Sequence, residues 1–560
     1  MPEAGERVTA RELLVLVAGA CLLSVVMHWP LVLHLGANIP KDLGDPLAEA
    51  WQLAWGGHAL AHQPLHFFQS NQFWPLDDTL AFSDALAGYA PAGLFGSGPG
   101  AAVVRYDVVF LFAYALAFVG AYLLGRELGL GPGAAAVAGA AFAFAPFRLE
   151  QEGHMQVISS GGIPLALGLG VRGYRLGRPG WVIAGWAVAT WQLSIGFTLG
   201  LPLAYLLAAV GAIAAIVWLR RGRPRLDRGL ALATVAGAVL FCAAGFALSR
   251  PYVRVADAHP GARRTAAEVE AFSGPPWIFL VAPDENLVWG GATKSLRDGL
   301  ENIPEKTLFP GLVILALAIA GLSSSAYPRP LRRGLGVGVV VVSVLALGFR
   351  AGGGLLWPYR IVYELLPGWQ AIRVPGRLVT LSSLGLALLA GAGAQRAMLG
   401  GAARRLSRWG GGTAIAAVCA LAIVVEGRGL PFDPFDNQAQ PSVPPVPPSV
   451  ARVPAPQLHL PAERAADNRR YLLWSTDGFP AIVNGRSSLN PAFTERLIER
   501  MEPFPDRSTV GLLSRLGVRS VILHTNRVHG TPWRGAARRP IGHLPLTRTR
   551  RHDLVVYEIR

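Results

Sequence analysis

The amino-acid sequence predicts an α-helical polytopic membrane protein of about eleven transmembrane helices, followed by a small extracytoplasmic α/β domain. Three observations predict this. Of 560 residues, 52% are hydrophobic and only 15% charged, against about 25% charged in an ordinary soluble domain. The apolar residues gather into eleven blocks, most of them close to the roughly 17–25 residues that a helix needs to cross a bilayer. The arginines between blocks fall on alternate connections, as a positive-inside topology requires.

The blocks run 13–35, 106–125, 133–147, 155–171, 181–198, 199–219, 229–249, 309–326, 335–349, 378–397 and 410–426. The first follows Arg7 and Arg11, is too long for the apolar core of a signal peptide and has no small-residue cleavage site after it, so it reads as an uncleaved anchor. The block at 133–147 is short and alanine-rich, which suits a helix tilted or buried between neighbours. Residues 181–219 are continuously apolar and too long for one crossing; Gly196, Gly200 and Pro202 mark the division. Arg126, the Arg172, Arg175 and Arg178 cluster, and the basic segments at 220–228, 329–333 and 396–408 then share the side of the N-terminus. This places a multi-pass protein in the plasma (cytoplasmic) membrane, N-terminus inside and C-terminal domain outside.

The domain organisation follows. Residues 1–426 form the transmembrane region, with a first extracytoplasmic loop at 37–105. A proline-rich linker covers 427–458, and 459–560 form the α/β domain. In that domain 471–474, 481–483, 520–524 and 553–559 read as strands and 509–516 as a helix stopped by Gly517. The net charge of +16 is almost entirely arginine, with Lys only at 41, 294 and 306. It serves topology, and no nucleic-acid-binding motif is present. Cys21, Cys242 and Cys419 lie apart inside apolar blocks, which excludes a disulfide framework or a cysteine metal site.

Candidate chemistry collects on the outside segments. The first loop opens with Lys41-Asp42-Leu43-Gly44-Asp45-Pro46, followed by 47–60 with Trp51, Trp55 and His58 at helical spacing, as suits a helix lying in the headgroup layer. Carboxylates at a membrane surface are costly unless solvated or paired, which favours a site at Asp42 and Asp45; the alternative, compatible with it, is that Asp42 or Asp45 caps that helix, with Pro46 at the first helical position. Asp77, Asp78 and Asp84 follow as lesser candidates. A polar knot, Arg148 to Gln156, contains Glu150, His154 and Gln156. Glu301, Glu305 and Lys306 precede the block at 309–326. Arg373 and Arg377 flank the block at 378–397 on the outside, against the positive-inside trend. A guanidinium fork at that height suits a lipid phosphate or pyrophosphate, with simple snorkelling as the alternative.

These motifs resemble the GT-C superfamily, polytopic glycosyltransferases that use polyprenyl-phosphate sugars. Gly44-Asp45-Pro46, Gly153-His154-Met155-Gln156, Thr307-Leu308-Phe309-Pro310-Gly311 and Arg373-Val374-Pro375-Gly376-Arg377 look like bacterial YfhO-like and actinobacterial membrane proteins of that type, as do Leu473-Trp474-Ser475-Thr476 and Val483-Asn484-Gly485-Arg486. The resemblance implies an inverting, cell-envelope transferase that moves a sugar from a polyprenyl-phosphate donor to a glycan, lipid or protein acceptor outside. Asp45 matches the first-loop acid that serves as general base, with Asp42 beside it. Arg148, His154, Gln156, Glu305, Arg373 and Arg377 are the substrate-binding candidates. The acids lack an Asp-x-Asp or adjacent pair, so a divalent metal is left open. A lipid-linked saccharide transporter or flippase, and a non-catalytic cell-envelope scaffold, are the alternatives.

Overall fold

The computed structural model describes residues 8–222, 227–350, 358–400, 411–429, 440–447, 450 and 453–560. Much of the 427–458 linker and of the basic segment 396–408 lies outside the described residues. The chain divides into two compact units. The first comprises 1–32, 110–247 and 264–433; the second comprises 33–109, 248–263 and 434–560.

Apolar sequence builds the helices of the first unit. Five helices among the described residues are long and apolar enough to cross a membrane: Ala10–Met27, Gly98–Leu128, Phe197–Arg220, Arg228–Ala258 and Pro375–Leu399. The last two-thirds of Gly98–Leu128 and the first part of Arg228–Ala258 belong to this unit. Leu312–Gly321 and Gly411–Glu426 are shorter apolar helices. The alanine-rich segment forms Pro132–Ala143, buried along almost its whole length. Small residues let Leu312–Gly321 and Val379–Leu399 approach closely: a Cβ on Gly321 would sit 2.0 Å from the Leu389 carbonyl, and one on Gly393 1.9 Å from that of Leu317. Backbone approach of this kind replaces the hydrophobic drive that helices lose among apolar neighbours.

Two of the predicted blocks are corrected. The helix of block 13–35 stops at Met27, because Pro30 cannot donate to an α-helical ladder. Block 155–171 is not one helix: Met155–Ile158 makes a single turn, and a new helix starts at Gly162–Leu176. The break falls at Ser159-Ser160-Gly161, and polar side chains take up its freed groups. Gln192 donates to the Ser159 carbonyl at 2.7 Å. Arg148 donates to the Ile158 carbonyl at 2.8 Å and to the Ser160 hydroxyl at 3.1 Å. Irregular backbone is tolerated at such depth only when it is satisfied this way.

In the second unit the C-terminal part carries a four-stranded sheet of β1 (Gln457–Leu460), β2 (Ser520–His524), β3 (Leu546–Arg551) and β4 (Leu554–Ile559), in the order β1-β2-β4-β3. β1 and β2 are parallel, with Leu458 opposite Val521; β4 is antiparallel to both β2 and β3. Helices Ala465–Trp474, Ala492–Arg500 and Arg507–Arg515 lie between β1 and β2 in the chain, as a parallel crossover demands. Leu458, Leu460, Leu513, Val521, Leu523, Trp533 and Tyr557 form the core. The strands at 520–524 and 553–559 and the stop at Gly517, φ +73°, agree with the sequence reading. Residues 471–474 do not: they end a helix, and all four are buried, so their all-apolar run hides the helical period. The predicted strand at 481–483 makes only a bridge from Ile482 to Gln457. β1 straddles the expected boundary, with Gln457 and Leu458 in what reads as linker and His459 and Leu460 in the α/β domain.

The membrane-surface helix of the first loop is also corrected. It forms as Asp45–His62, but Trp51 and Trp55 are 1% and 3% exposed. They pack with Leu80, Leu472 and Ile482, so the aromatic stripe is protein core. The loop then runs alongside the C-terminal part. Asn71 is the join: its Oδ1 accepts from Trp51 Nε1 at 3.0 Å, its Nδ2 donates to Ser475 Oγ at 3.0 Å and the Pro480 carbonyl at 2.8 Å, and its carbonyl accepts from Ile482 N–H at 2.7 Å. Asn71→Ala strands several buried polar groups and is expected to destabilise this unit by about 2–3 kcal/mol. Thermal unfolding of the purified protein, with proteolysis in the 434–560 region as a second readout, checks this.

Inside the sheet, Gln457 Nε2 is tied to the Val453 carbonyl, leaving Oε1 toward His459 Nε2 at 3.3 Å. That arrangement makes Nε2–H the donor, and His459 Nδ1 then accepts from His524 Nε2–H at 3.0 Å. Both rings are neutral in this chain, stacked on Tyr471. Burial pushes His459 down to about 3, and burial together with His459 and Arg527 pushes His524 well below its ordinary value. With folded values depressed, the stabilisation is full above the unfolded value of about 6.5 and is lost as pH falls toward 3. Each histidine contributes a slope of about 1.4 kcal/mol per pH unit there. Unfolding free energies measured between pH 7 and 4 are expected to fall by up to the sum of the two slopes, about 2.8 kcal/mol per pH unit, in wild type and about half as steeply in His524→Phe.

Candidate functional site

The polar knot of the first unit is centred on Glu305. A one-turn helix, Ile303–Glu305, ends at it, and Arg377 reaches it from the turn Pro375–Leu378. Arg377 Nε donates to Glu305 Oε2 at 3.2 Å, and its Nη2 bonds Oε1. Gln151 Nε2 lies 3.4 Å from Oε2, and His154 Nε2 3.8 Å from Oε1. Burial alone raises the carboxyl's pKa; the charges of Arg377 and His154 and the hydrogen bonds from Arg377 and Gln151 outweigh it and hold Glu305 at about 2. Close packing enforces the arrangement, because a Cβ on Gly376 would meet the Glu305 carbonyl at 2.7 Å. Glu305 is therefore a saturated anion that positions Arg377.

Arg373 is different. Its guanidinium lies 5.0 Å over the Phe272 ring, and it makes no hydrogen bond among the described residues. Burial, with Arg264 and Arg377 nearby, pushes it below its ordinary value. Lys306 is 1% exposed, and its ammonium likewise has neither hydrogen bond nor ion pair among the described residues. Burial and the charge of Arg350 lower its pKa against the pull of Glu301. Gln156 is half-buried and without a side-chain partner among the described residues. These groups can meet an anion with polar substituents.

Arg148 is 2% exposed, held by the broken helix and by the Tyr114 ring at 5.0 Å. Its part is to shape the backbone that carries His154 and Gln156. The knot also contains residues that sequence reasoning missed. His28 bonds Glu152 at 3.3 Å through Nε2 and the Ser24 carbonyl at 2.8 Å through Nδ1. Glu426 accepts from the backbone N–H of Leu312 and Val313 at 2.6 and 3.0 Å and from Trp289 at 2.8 Å, capping the helix that follows the Thr307–Gly311 motif. Lys306, one of only three lysines, stands with Glu301 and Glu305 in the sequence reading but not among its substrate-binding candidates.

Asp42 and Asp45 belong to the second unit. Neither side chain caps the first-loop helix in the usual way: Gly44 is the N-cap residue, and Asp45 opens the helix with Pro46 behind it. Asp42 Oδ1 accepts from Gly44 N–H at 2.6 Å, and Asp45 pairs with Arg469 at 2.6 Å while half-exposed. Asp78 pairs with Arg254, and Asp77 with Gln69. Among the described residues, no three His, Cys, Asp or Glu side chains group as metal ligands. The donor set round Asp42 and Asp45 does not fit a divalent ion.

No family model matches the chain, and no curated protein matches it. Solved structures do. The chain is similar to ArnT from Cupriavidus metallidurans, bound to undecaprenyl phosphate, at 15% identity and a TM-score of 0.50, covering 97% of each chain. It is also similar to the arabinofuranosyltransferase AftD from Mycobacteria, at 14% identity and a TM-score of 0.51, covering 99% of this chain and 42% of that one. Such identities speak to fold. The fold is shared with these structures over nearly the whole chain, apolar helices together with a small C-terminal sheet.

Glu305→Gln removes the anion from a buried pair and leaves Arg377 uncompensated, at an expected cost of about 3–5 kcal/mol. Glu305→Gln/Arg377→Met is expected to recover part of that loss. Thermal melting of both variants in detergent checks the pair.

Proposed function

We propose that the chain is an inverting glycosyltransferase that moves a sugar from a polyprenyl-phosphate donor to a glycan, lipid or protein acceptor. The observation that carries this reading is two cations, buried Lys306 and half-buried Arg373, whose side chains have no hydrogen bond or ion pair among the described residues, in a unit where the buried carboxylate of Glu305 is already saturated. Cations withdrawn from water without a partner are costly, and a phosphate ester is the ligand that relieves them. The likeness in fold to a protein with undecaprenyl phosphate bound supports the donor class.

In this reading Arg373 and Lys306 stabilise the charge that grows on the leaving phosphate. Arg377, fixed by Glu305, adds a guanidinium of set orientation, and His154 and Gln156 serve donor hydroxyls. The acceptor oxygen attacks the anomeric carbon as the bond from that carbon to the phosphate oxygen breaks, and the electron pair leaves on polyprenyl phosphate. Asp45 takes the acceptor hydroxyl proton, with Asp42 beside it in sequence. No step is routed through a metal. The enzyme works at the outer face of the plasma membrane, N-terminus inside, with residues 459–560 outside.

Transfer of labelled sugar from a panel of polyprenyl-phosphate donors by the purified protein tests the proposal. Asp45→Asn is expected to lower kcat by roughly 10²–10⁴-fold with little change in stability, because a half-exposed ion pair contributes little. Arg373→Gln and Lys306→Met are expected to raise the KM for donor. Unchanged transfer by Asp45→Asn sinks its role as base, and no transfer by wild type with any donor sinks the reading.

A further inference from the structure

We infer that the second unit carries an anion pocket for a phosphate-bearing saccharide, distinct from every residue assigned above. The pocket would bind this ligand whether or not the chain transfers sugar.

A cavity of about 510 Å³ opens beside helix Ala465–Trp474, lined by Arg464, Asp467, Arg470, Asn526, Arg527 and His529, together with Ala466. That volume lies within the range of small-molecule sites. Its charges are unbalanced by construction. Arg470 and Arg527 each place one Nη1–H on the same oxygen, Oδ1 of Asp467, at 3.0 and 2.9 Å. Asp467 is 3% exposed, so this carboxylate is fixed and shared. Arg527 is held over the Trp474 ring at 5.5 Å, and the Nε–H of Arg470 is buried with no acceptor. Arg464 adds a third guanidinium, anchored on the His529 carbonyl at 2.8 Å; the flanking Glu463, 3.7 Å away, is partly exposed. Three guanidiniums thus line a cavity with one carboxylate.

Two guanidiniums held side by side by one oxygen present their remaining N–H groups as a fork, which matches phosphate oxygens. The helix beside the pocket begins without a capping side chain, so its first N–H groups also favour an anion. Asn526 and His529 offer neutral donors and acceptors for hydroxyls. No large apolar side chain lines the cavity, which disfavours a headgroup that brings acyl chains with it.

Titration calorimetry of the full chain in detergent, with hexose 1-phosphate, the free hexose and inorganic phosphate as probes, tests the site; nanodiscs containing phosphatidylglycerol form the lipid arm. Hexose 1-phosphate is expected to bind with a Kd on the order of 1 mM or tighter, more tightly than the other two probes and more weakly in about 0.5 M salt. Arg470→Gln and Arg527→Gln are each expected to weaken binding at least about tenfold, and Arg527→Lys, which keeps charge but loses the fork, by an intermediate factor. Should either Gln variant lower the melting midpoint, Arg464→Gln, whose partners are peripheral, supplies the same readout. Absence of binding, equal binding by the Arg variants, or a response confined to phosphatidylglycerol overturns the inference.

Discussion

A carboxylate buried as deeply as that of Glu305 stays ionised only if positive and hydrogen-bonding groups replace its lost water. Arg377 and the segment that carries Gln151 and His154 come from two separate parts of the chain to do this. Their convergence fixes the turn at Pro375–Leu378 and explains why Gly376 admits no side chain. It also separates two kinds of arginine: Arg377 is bound to the anion, whereas Arg373 rests over an aromatic face.

The same rule governs the broken helix at Ser159–Gly161. Arg148 and Gln192 look in sequence like polar residues in the wrong place. In the structure they complete backbone hydrogen bonds that an interrupted helix leaves open. Polar side chains amid apolar sequence thus have two distinct uses here, repair of the backbone and presentation of charge. Only their partners tell the two apart.

The second unit shows how one buried amide organises distant sequence. Asn71 ties the first-loop helix to the segment 475–482, and Trp51 and Trp55 bury against Leu472 and Ile482. Helical spacing of tryptophans is legible in a sequence. Whether the stripe meets lipid or protein is not, because both surroundings reward the same apolar face. The failure at 471–474 has a related cause, since a helix end buried on all sides shows no period.

Composition and periodicity determined that this is a membrane protein, where most of its helices lie, and that an α/β part follows them, because hydrophobic burial acts on local sequence. They also singled out Glu305, His154, Arg373 and Arg377 as polar residues needing an explanation. Tertiary structure decided which of those charges are matched, that Asp45 pairs with Arg469, and that Asp467 is shared by two arginines. Charge compensation depends on distances between segments far apart in the chain, and no local pattern encodes them.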